Sequence, residues 1–560
     1  MKTIIDKKSD RKRVVIVGGV AGGASCAARL RRLDEFAKIT IFEKGDYVSF
    51  ANCGLPYYVG SVIETDTSLV LATPESFKKR FEIDVRVRHK VMAIDRSRKT
   101  VRVRNLIDGS EFDEPYDALV LAPGAVPLSP PISGLDLPGV FTVRTIPDAR
   151  LIREWIAEHA ATSAVVAGGG FIGLEMAENL VQLGLNVSLL ERAPQILPPM
   201  DPEMVRPLEE HIRRNGVELL LGDAVTRIVR SSSNSLHVIS ASGQVREANL
   251  VISALGVRPD VSLAKAAGLE IGTTGGIKVD EHMRTSDPSI YAAGDAVEVT
   301  DTILGSQTLL ALAGPANRQG RIVADVICGR NVKFRGVQAT AICAVFGMAA
   351  GSTGATEKAL VRAGISDFEA FYLHPKNHVA YYPGAESIYL KVLFRKSDGR
   401  LLGAQALGMA DVARKIDTIA AFLQMRATVE DLAEAELCYA PQFGAAKDAV
   451  NFAGMIGTNI RDGLTEVASW PNVVPTSAFI LDVRDPDEFA ADHAPRAVNI
   501  PLNSLRARID EVRDMVQGKE LFVYCQVGQR GYFAQRILAA YDIPSKNLSG
   551  GWLTAKCFGI

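Results

Sequence analysis

RVVIVGGVAGGASCAARLRR, residues 13–32, and SAVVAGGGFIGLEMAENLVQLG, residues 163–184, decide the fold between them. Each reads as an apolar strand, a glycine turn and an amphipathic helix. A second strand follows and ends in an acid, ITIFEK reaching Glu43 and VSLLER reaching Glu191. That order is the βαβ plan of a dinucleotide site. Its glycines let the backbone turn tightly and approach a pyrophosphate, which the free N–H groups and dipole of the helix N-terminus favour. The terminal carboxylate accepts from a ribose hydroxyl. The second copy carries the full pattern at Gly168, Gly170 and Gly173, whereas the first has Gly18, Gly19 and Gly23 with Val20 where the middle glycine is expected. One such turn is a weak signal, but two, each with its acid at the right distance, are specific.

At 560 residues, 47% of them hydrophobic, the chain has material for about three to four domains. A formal net charge of −1 gives no pull toward nucleic acid or an acidic membrane surface, so a polyanionic ligand needs a local basic site. The seven cysteines (Cys26, Cys53, Cys328, Cys343, Cys438, Cys525 and Cys557) form no C-x-x-C pair and no zinc spacing, so no metal is expected. This usage fits a reducing, cytoplasmic setting. The opening MKTIIDKKSDRKR is basic, lacks an apolar core of the signal-peptide kind and reads as a short disordered arm. The uncharged stretch 338–356 is broken by Gly, Ser and Thr, and so reads as buried strands in place of a membrane span.

Further along, TSDPSIYAAGDAVEV (285–299) ends an apolar strand in Gly294 and Asp295. Together with LAPGA (121–125, containing Gly124) and ALGVRP (254–259), it resembles flavoproteins with two dinucleotide domains. That resemblance implies that Asp295 meets the ribityl chain of FAD, and that Lys44 joins Glu43 in the flavin site. The flavin domain is then split over 1–145 and 262–330, with an NAD(P)H domain inserted at 146–261. From about Phe334 the pattern changes to strand-like runs and one long helix, DVARKIDTIAAFLQM (411–425), which fits an α+β dimerisation domain at 331–458. A last compact α/β unit is expected at 463–560. The fold class is α/β throughout its nucleotide-binding and C-terminal parts.

SFANCGLPYY (49–58) holds one cysteine, and the position five beyond it, where a resolving cysteine is usual, is Tyr58. A thiolate is the nucleophile in disulfide exchange, so a redox-active Cys53 must be partly deprotonated and exposed. With HVAYYPGA (378–385), ALAGPANRQG (311–320) and CYAPQFGAAKD (438–448), the segment is similar to the CoA-disulfide reductases, a branch of the pyridine nucleotide–disulfide oxidoreductases. The resemblance spans residues 14 to about 458. The remainder resembles a rhodanese domain, through LDVRDPDEF (481–489) and the loop from Cys525 to Gly531, a combination similar to the fused CoA-disulfide reductase–rhodanese or persulfide reductase enzymes.

This resemblance implies a homodimer in which Cys53 rests as a mixed disulfide with CoA and takes electrons from NADH through FAD. Glu191 favours NADH, and Arg192 beside it leaves NADPH open. For CoA, Ser25, Arg29 and Arg32 share a helix face at i, i+4 and i+7, and family position adds Ser49, Asn52, Phe81, Asn317 and Lys447, with Arg80 as a further charge. Tyr381, Tyr382 and Tyr439 correspond to tyrosines that reach the other subunit's active site, where a phenol can protonate a leaving thiolate. Phe171 would gate the nicotinamide and Glu175 lie near the flavin ring. YAPQF stands where the family has YAPPY, and ADVARKID where it ends in D-K-R-I-D.

At the C-terminal end, the strand–loop–helix order lets backbone N–H groups face the Cys525 sulfur, with Arg530 closing the loop and Arg484 the pocket. Gln526 and Gln529 stand where thiosulfate-using relatives carry positive charge, which fits neutral or CoA-linked persulfides. The expected activity is therefore NAD(P)H-dependent reduction of CoA disulfide, CoA persulfide or polysulfide, with the rhodanese domain handling sulfane sulfur. A second reading sends electrons to peroxide or oxygen through a Cys53 sulfenate, as in NADH peroxidases and oxidases. A third makes the rhodanese unit a regulatory module.

Overall fold

The computed structural model describes residues 11–231, 235–474 and 476–560, so the basic arm read at the start of the chain lies largely outside the described residues. Two compact units emerge, one from residues 11–192 and 223–337 and one from 193–222 and 338–560.

In the first unit, β1 (Arg13–Val17), α1 (Ala21–Leu33) and β2 (Lys38–Phe42) form the opening βαβ step. Next come α2 (Leu55–Val59), α3 (Pro74–Phe81), β3 (Asp84–Arg86), β4 (Ala118–Leu121), β5 (Ala125–Pro127) and β6 (Val140–Phe141). The second step is β7 (Ser163–Ala167), α4 (Phe171–Gln182) and β8 (Asn186–Glu191). Later strands of this unit are β9 (Leu250–Ser253), β10 (Val257–Pro259) and β11 (Ile290–Ala292), before the long helix α5 (Ala313–Ile327). β11, β4, β1, β2 and β3 lie side by side in one parallel sheet, and β8, β7, β9 and β6 in a second. Val14, Val15 and Ile16 are buried along β1, as a parallel strand covered on both faces requires. The two segments read as crossing between domains pair with each other, β10 antiparallel to β5, so the chain leaves and returns through one ribbon.

Arg31, passed over in the sequence, is 6% exposed on α1. Its guanidinium donates to the carbonyls of Asp34, Glu35, Ala37, Phe81 and Glu82, tying the end of α1 to the end of α3. A buried cation is stable only when paired or fully hydrogen-bonded, and five carbonyls meet that condition.

The second unit takes in 193–222, a stretch the sequence reading leaves inside the NAD(P)H domain. It contains α6 (Pro202–Arg214), then β12 (Ala341–Val345), β13 (Met348–Gly354), β14 (Glu369–Leu373), β15 (Ile388–Phe394), β16 (Leu401–Gly408), α7 (Val412–Gln424) and α8 (Ala449–Arg461). The strands form an antiparallel sheet in the order β12, β13, β16, β15, β14, leaving β14 at an edge. A buried charge cluster lies within this unit. Lys391 of β15, 1% exposed, holds Asp201 at 2.9 Å, Glu203 at 2.7 Å and Glu357 at 2.5 Å. Three carboxylates converge as they would on a metal ion, but the charge at their centre is the lysine ammonium.

The chain closes with β17 (Val467–Ala468), β18 (Phe479–Asp482), β19 (Val498–Asn499), β20 (Leu521–Tyr524), α9 (Gln529–Ala540), β21 (Lys546–Leu548) and α10 (Gly551–Phe558). These strands make a parallel sheet in the order β17, β21, β20, β18, β19. No described helix is long and apolar enough to cross a membrane.

Candidate active site

The two glycine turns are built alike. Gly18 has φ +93°, and a Cβ there would sit 2.1 Å from the Ala122 carbonyl oxygen; Gly168 has φ +111° and faces Ala254 in the same way. At Gly23 and Gly173 a Cβ would fall 1.9 Å from the carbonyl oxygen of Gly18 or Gly168, so both positions require glycine for helix–strand packing. The strand-end acids are held by the turns themselves. Gly19 N–H donates to Glu43 at 2.9 Å and Gly169 N–H donates to Glu191 at 2.7 Å, while Gly45 N–H donates to the other Glu43 oxygen. Neither α1 nor α4 has a side-chain cap, which leaves first-turn N–H groups for an anion. At Gly170 a Cβ would meet nothing within 4 Å, the open approach a pyrophosphate needs; at the equivalent place Val20 forms the N-cap of α1.

Other proposed flavin contacts are mixed. Among the described residues the half-buried Asp295 carboxylate has no hydrogen-bond partner, and burial pushes its pKa up against the opposing charge of Arg144. A carboxylate so placed suits hydroxyl donors such as those of a ribityl chain. Gly124 takes φ +72° beside Arg144, and its carbonyl accepts from Asp260 N–H. Lys44 is already engaged, pairing with Asp260 at 3.3 Å.

Cys53 is exposed and sits in a single 3-10 turn, Asn52–Gly54, leading into α2. Ser49, at φ +48°, donates its N–H to the Gly19 carbonyl, so the cysteine loop is stitched to the first glycine turn. None of the seven cysteines forms a disulfide. Tyr58 is buried beneath the Arg153 guanidinium, 4.5 Å from its ring, so the place of a resolving cysteine is taken by a packing residue. A contact the sequence does not suggest joins α2 to α4: Tyr57 donates to Glu175 at 3.3 Å, and burial pushes the Glu175 pKa up. Phe171 opens α4, one turn before Glu175.

The proposed CoA residues divide. Ser25 donates to Asn317 at 2.6 Å, bringing α1 and α5 together at these two polar groups. Arg32 and Arg80 are exposed and Asn52 is half-buried. Arg29 Nε and Nη2 both donate to Asp325, which lies opposite it on α5, and its side chain is 16% exposed. Phe81 packs 6.1 Å from Phe77 at the edge of the core. In the second unit, the hydroxyls of Tyr381 and Tyr439 lie 3.0 Å apart, both side chains are exposed, and the bond to Tyr439 raises the Tyr381 pKa. Tyr382 and Lys447 are exposed as well.

Cys525 follows β20 and is fully buried. Gly528 N–H donates to its sulfur at 3.2 Å, one backbone donor aimed as the strand–loop–helix order suggests. Arg530 bridges Glu488 through both nitrogens, at 2.7 and 2.8 Å, and reaches Asp485, so it anchors the loop to the helix Pro486–Ala491. Arg484 does not close the pocket: it is 2% exposed, paired with Asp482, and donates to the Gln526 side chain at 3.2 Å, under Tyr524 and Trp552. Its role is to fix Gln526. The loop's floor comes from α10, where Trp552 and Leu553 N–H groups donate to the Cys525 and Gln526 carbonyls at 2.7 and 3.0 Å. A Cβ on Gly551, at φ +62°, would fall 2.3 Å from the Cys525 carbonyl oxygen. The one sequence signal for this floor is the double glycine of NLSGGW.

Gly551→Ala is accordingly expected to lower sulfur transfer at Cys525 by about tenfold or more, since backbone strain of about 1–3 kcal/mol lands on the loop. Cyanide-dependent thiocyanate formation measures it, with NADH-dependent disulfide reduction as the unchanged control.

Comparison with known proteins agrees with this geometry. The family model described as pyridine nucleotide-disulphide oxidoreductase matches residues 12–320, that family's dimerisation domain matches 340–450, and a rhodanese-like domain matches 465–554. The crystal structure of reduced CoADR-RHD from Bacillus anthracis is 41% identical, with a TM-score of 0.95 over 98% of this chain and 99% of that one. An NAD(P)H coenzyme A polysulfide/persulfide reductase of Pyrococcus horikoshii is 36% identical over 78% of this chain and 96% of its own length. A protein named NADH oxidase from Methanocaldococcus jannaschii is 35% identical over 79% of this chain and 97% of its own. The twin glycine turns, the exposed Cys53 and these matches together place the chain in the pyridine nucleotide-disulphide oxidoreductase family, with a rhodanese-like domain at its C-terminal end.

Proposed function

We propose that the protein is an NAD(P)H-dependent reductase of CoA persulfide, CoA disulfide or polysulfide, working as a homodimer, with Cys53 as its redox nucleophile and Cys525 as its sulfane-sulfur carrier. The observation that carries this reading is the exposed, unpaired Cys53 with Tyr58 buried where a second sulfur would be needed. Such a thiolate must complete its cycle with an external thiol. The flavin and the nicotinamide, held at the Gly18–Gly23 and Gly168–Gly173 turns with Glu43, Asp295 and Glu191, supply the electron pair. Attack of Cys53 on the CoA-bound sulfur of a persulfide forms a Cys53–CoA disulfide and releases hydrosulfide; two electrons then return both sulfurs to thiolates. The Tyr381–Tyr439 pair, contributed by the other subunit, is suited to protonate the departing thiolate. Ser25, Arg29, Arg32, Ser49, Asn52, Phe81 and Asn317 would receive CoA, with Lys447 reaching in from the partner.

Intact-mass measurement of the purified protein under non-reducing conditions tests this directly. A CoA-sized adduct, lost on reduction and mapped to Cys53, is the expected outcome; an adduct confined to the other exposed thiol, Cys438, would sink it. The peroxide or oxygen reading has the NADH oxidase likeness in its favour. Stopped-flow oxidation of the reduced enzyme separates the two, because faster reaction with peroxide than with CoA persulfide would reverse the assignment.

A further inference from the structure

The Cys525 loop rests on α10, and α10 is held from outside the rhodanese domain. Tyr372 of β14 and His374, the first residue past its end, are two positions apart and so share one face of the sheet edge. Tyr372 N–H donates to Ser549 Oγ at 2.8 Å, and its ring meets Phe558 edge-on at 6.1 Å. His374 Nε2 lies 2.7 Å from Thr554 Oγ1 in the middle of α10, and its ring stands edge-on to Tyr389 at 4.9 Å. The imidazole is half-buried, desolvation lowers its pKa to about 3, and its Nδ1 has no partner among the described residues. The Thr554 hydroxyl is thus the one polar anchor of a neutral ring.

The path from these contacts to the sulfur is short and tightly packed. At Gly550 a Cβ would fall 2.7 Å from Tyr372 Cβ and 2.0 Å from Thr554 Oγ1. At Gly551, the next residue, it would fall 2.7 Å from Gly528 N, the same amide that donates to Cys525 Sγ. With no slack at either glycine, a displacement of α10 must reach the loop.

We propose that Tyr372 and His374 are positioning residues for Cys525: through Ser549, Thr554 and α10 they set the loop geometry in which the cysteine accepts and releases sulfane sulfur. The proposal rests on Cys525 being the sulfurtransferase nucleophile and adds that the dimerisation domain completes that site. No atom of Tyr372 or His374 need touch the donor.

The test uses the full chain carrying Thr554→Val, which keeps shape and removes the hydroxyl, Thr554→Ser, which keeps the hydroxyl, and Ser549→Ala as an independent break. The readouts are kcat and KM for sulfur transfer from polysulfide to cyanide, the iodoacetamide alkylation rate at Cys525 followed by peptide mass spectrometry, and NADH-dependent CoA-disulfide reduction. Thr554→Val and Ser549→Ala are expected to lower the transfer kcat by about fivefold to tenfold, with KM within about twofold, because small misplacements of a reacting group are costly in rate. Cys525 alkylation should shift in step, Thr554→Ser should restore both, and the reductase reaction should be unchanged. Wild-type kcat and alkylation rate in both variants would overturn the proposal, even if thermal stability fell. Undiminished cyanide-dependent transfer in Cys525→Ser would instead remove the assignment on which it rests.

Discussion

Cys53→Ser is expected to reduce NADH-dependent turnover of CoA persulfide by about three orders of magnitude or more, while NADH continues to bleach the flavin at the wild-type rate. A serine hydroxyl stays protonated near neutral pH and is a poor nucleophile toward sulfur. The size of the loss follows from the lack of a second sulfur at the resolving position. Cys26, Cys343, Cys525 and Cys557 are buried, and Tyr58 offers no sulfur. The fold should not suffer, because Cys53 is exposed in a short turn whose backbone is fixed by Gly54 N–H donating to Ala51 and by Ala51 N–H donating to Leu69. Stopped-flow absorbance resolves flavin bleaching from reoxidation by CoA persulfide. Retained reoxidation in the variant would take Cys53 out of the mechanism.

The second large effect concerns stability. Lys391→Met should destabilise the second unit by about 3–5 kcal/mol at neutral pH, because Asp201 and Glu203, 2% and 7% exposed, would lose the charge that compensates them. The loss is softened by what remains: Gln405 and the N–H groups of Glu357 and Lys358 still donate to Asp201, and Tyr372 still donates to Glu203.

The pH dependence identifies the cause. Burial raises the Asp201 pKa, but the Lys391 charge and hydrogen bonds more than offset this and hold it below the ordinary value. A depressed carboxylate stabilises above its unfolded pKa of about 4, and that contribution is lost as pH falls through the lower folded value. Lys391, although desolvation opposes it, is held well above its ordinary value by Tyr372, Glu203, Asp201 and Glu357. Its contribution is complete below about 10.4 and is lost only as pH rises through the higher folded value. In the variant the stranded carboxylates regain neutrality by taking up protons. The difference in urea midpoint between wild type and Lys391→Met should therefore shrink from about pH 7 to about pH 5. A difference independent of pH would mean that the lysine stem's packing, and not its charge, is what matters.

The features legible in the sequence are those where backbone geometry admits one residue type at a fixed local spacing. Gly18, Gly23, Gly168 and Gly173 cannot carry a side chain without striking a carbonyl oxygen, and Glu43 and Glu191 end strands within 25 residues of the turns that hold them. Arg29 and Arg484 have partners the sequence does not show, for the opposite reason. The Asp325 that engages Arg29 lies 296 residues away, and Arg484 is buried by rings and carbonyls contributed from several later elements. Local chemistry was readable; the partner that occupies a charged side chain was not.

The seam at β14 also bears on how such a chain can be divided. Residues 463–560 look detachable on paper, since they have their own sheet and their own cores. Yet a chain stopped after Arg461 would leave the Tyr372 ring, the His374 imidazole and the Cys557-facing wall of α6 without the helix that covers them. Truncation would bare the Tyr372 ring and the imidazole, both of which that helix covers in the full chain.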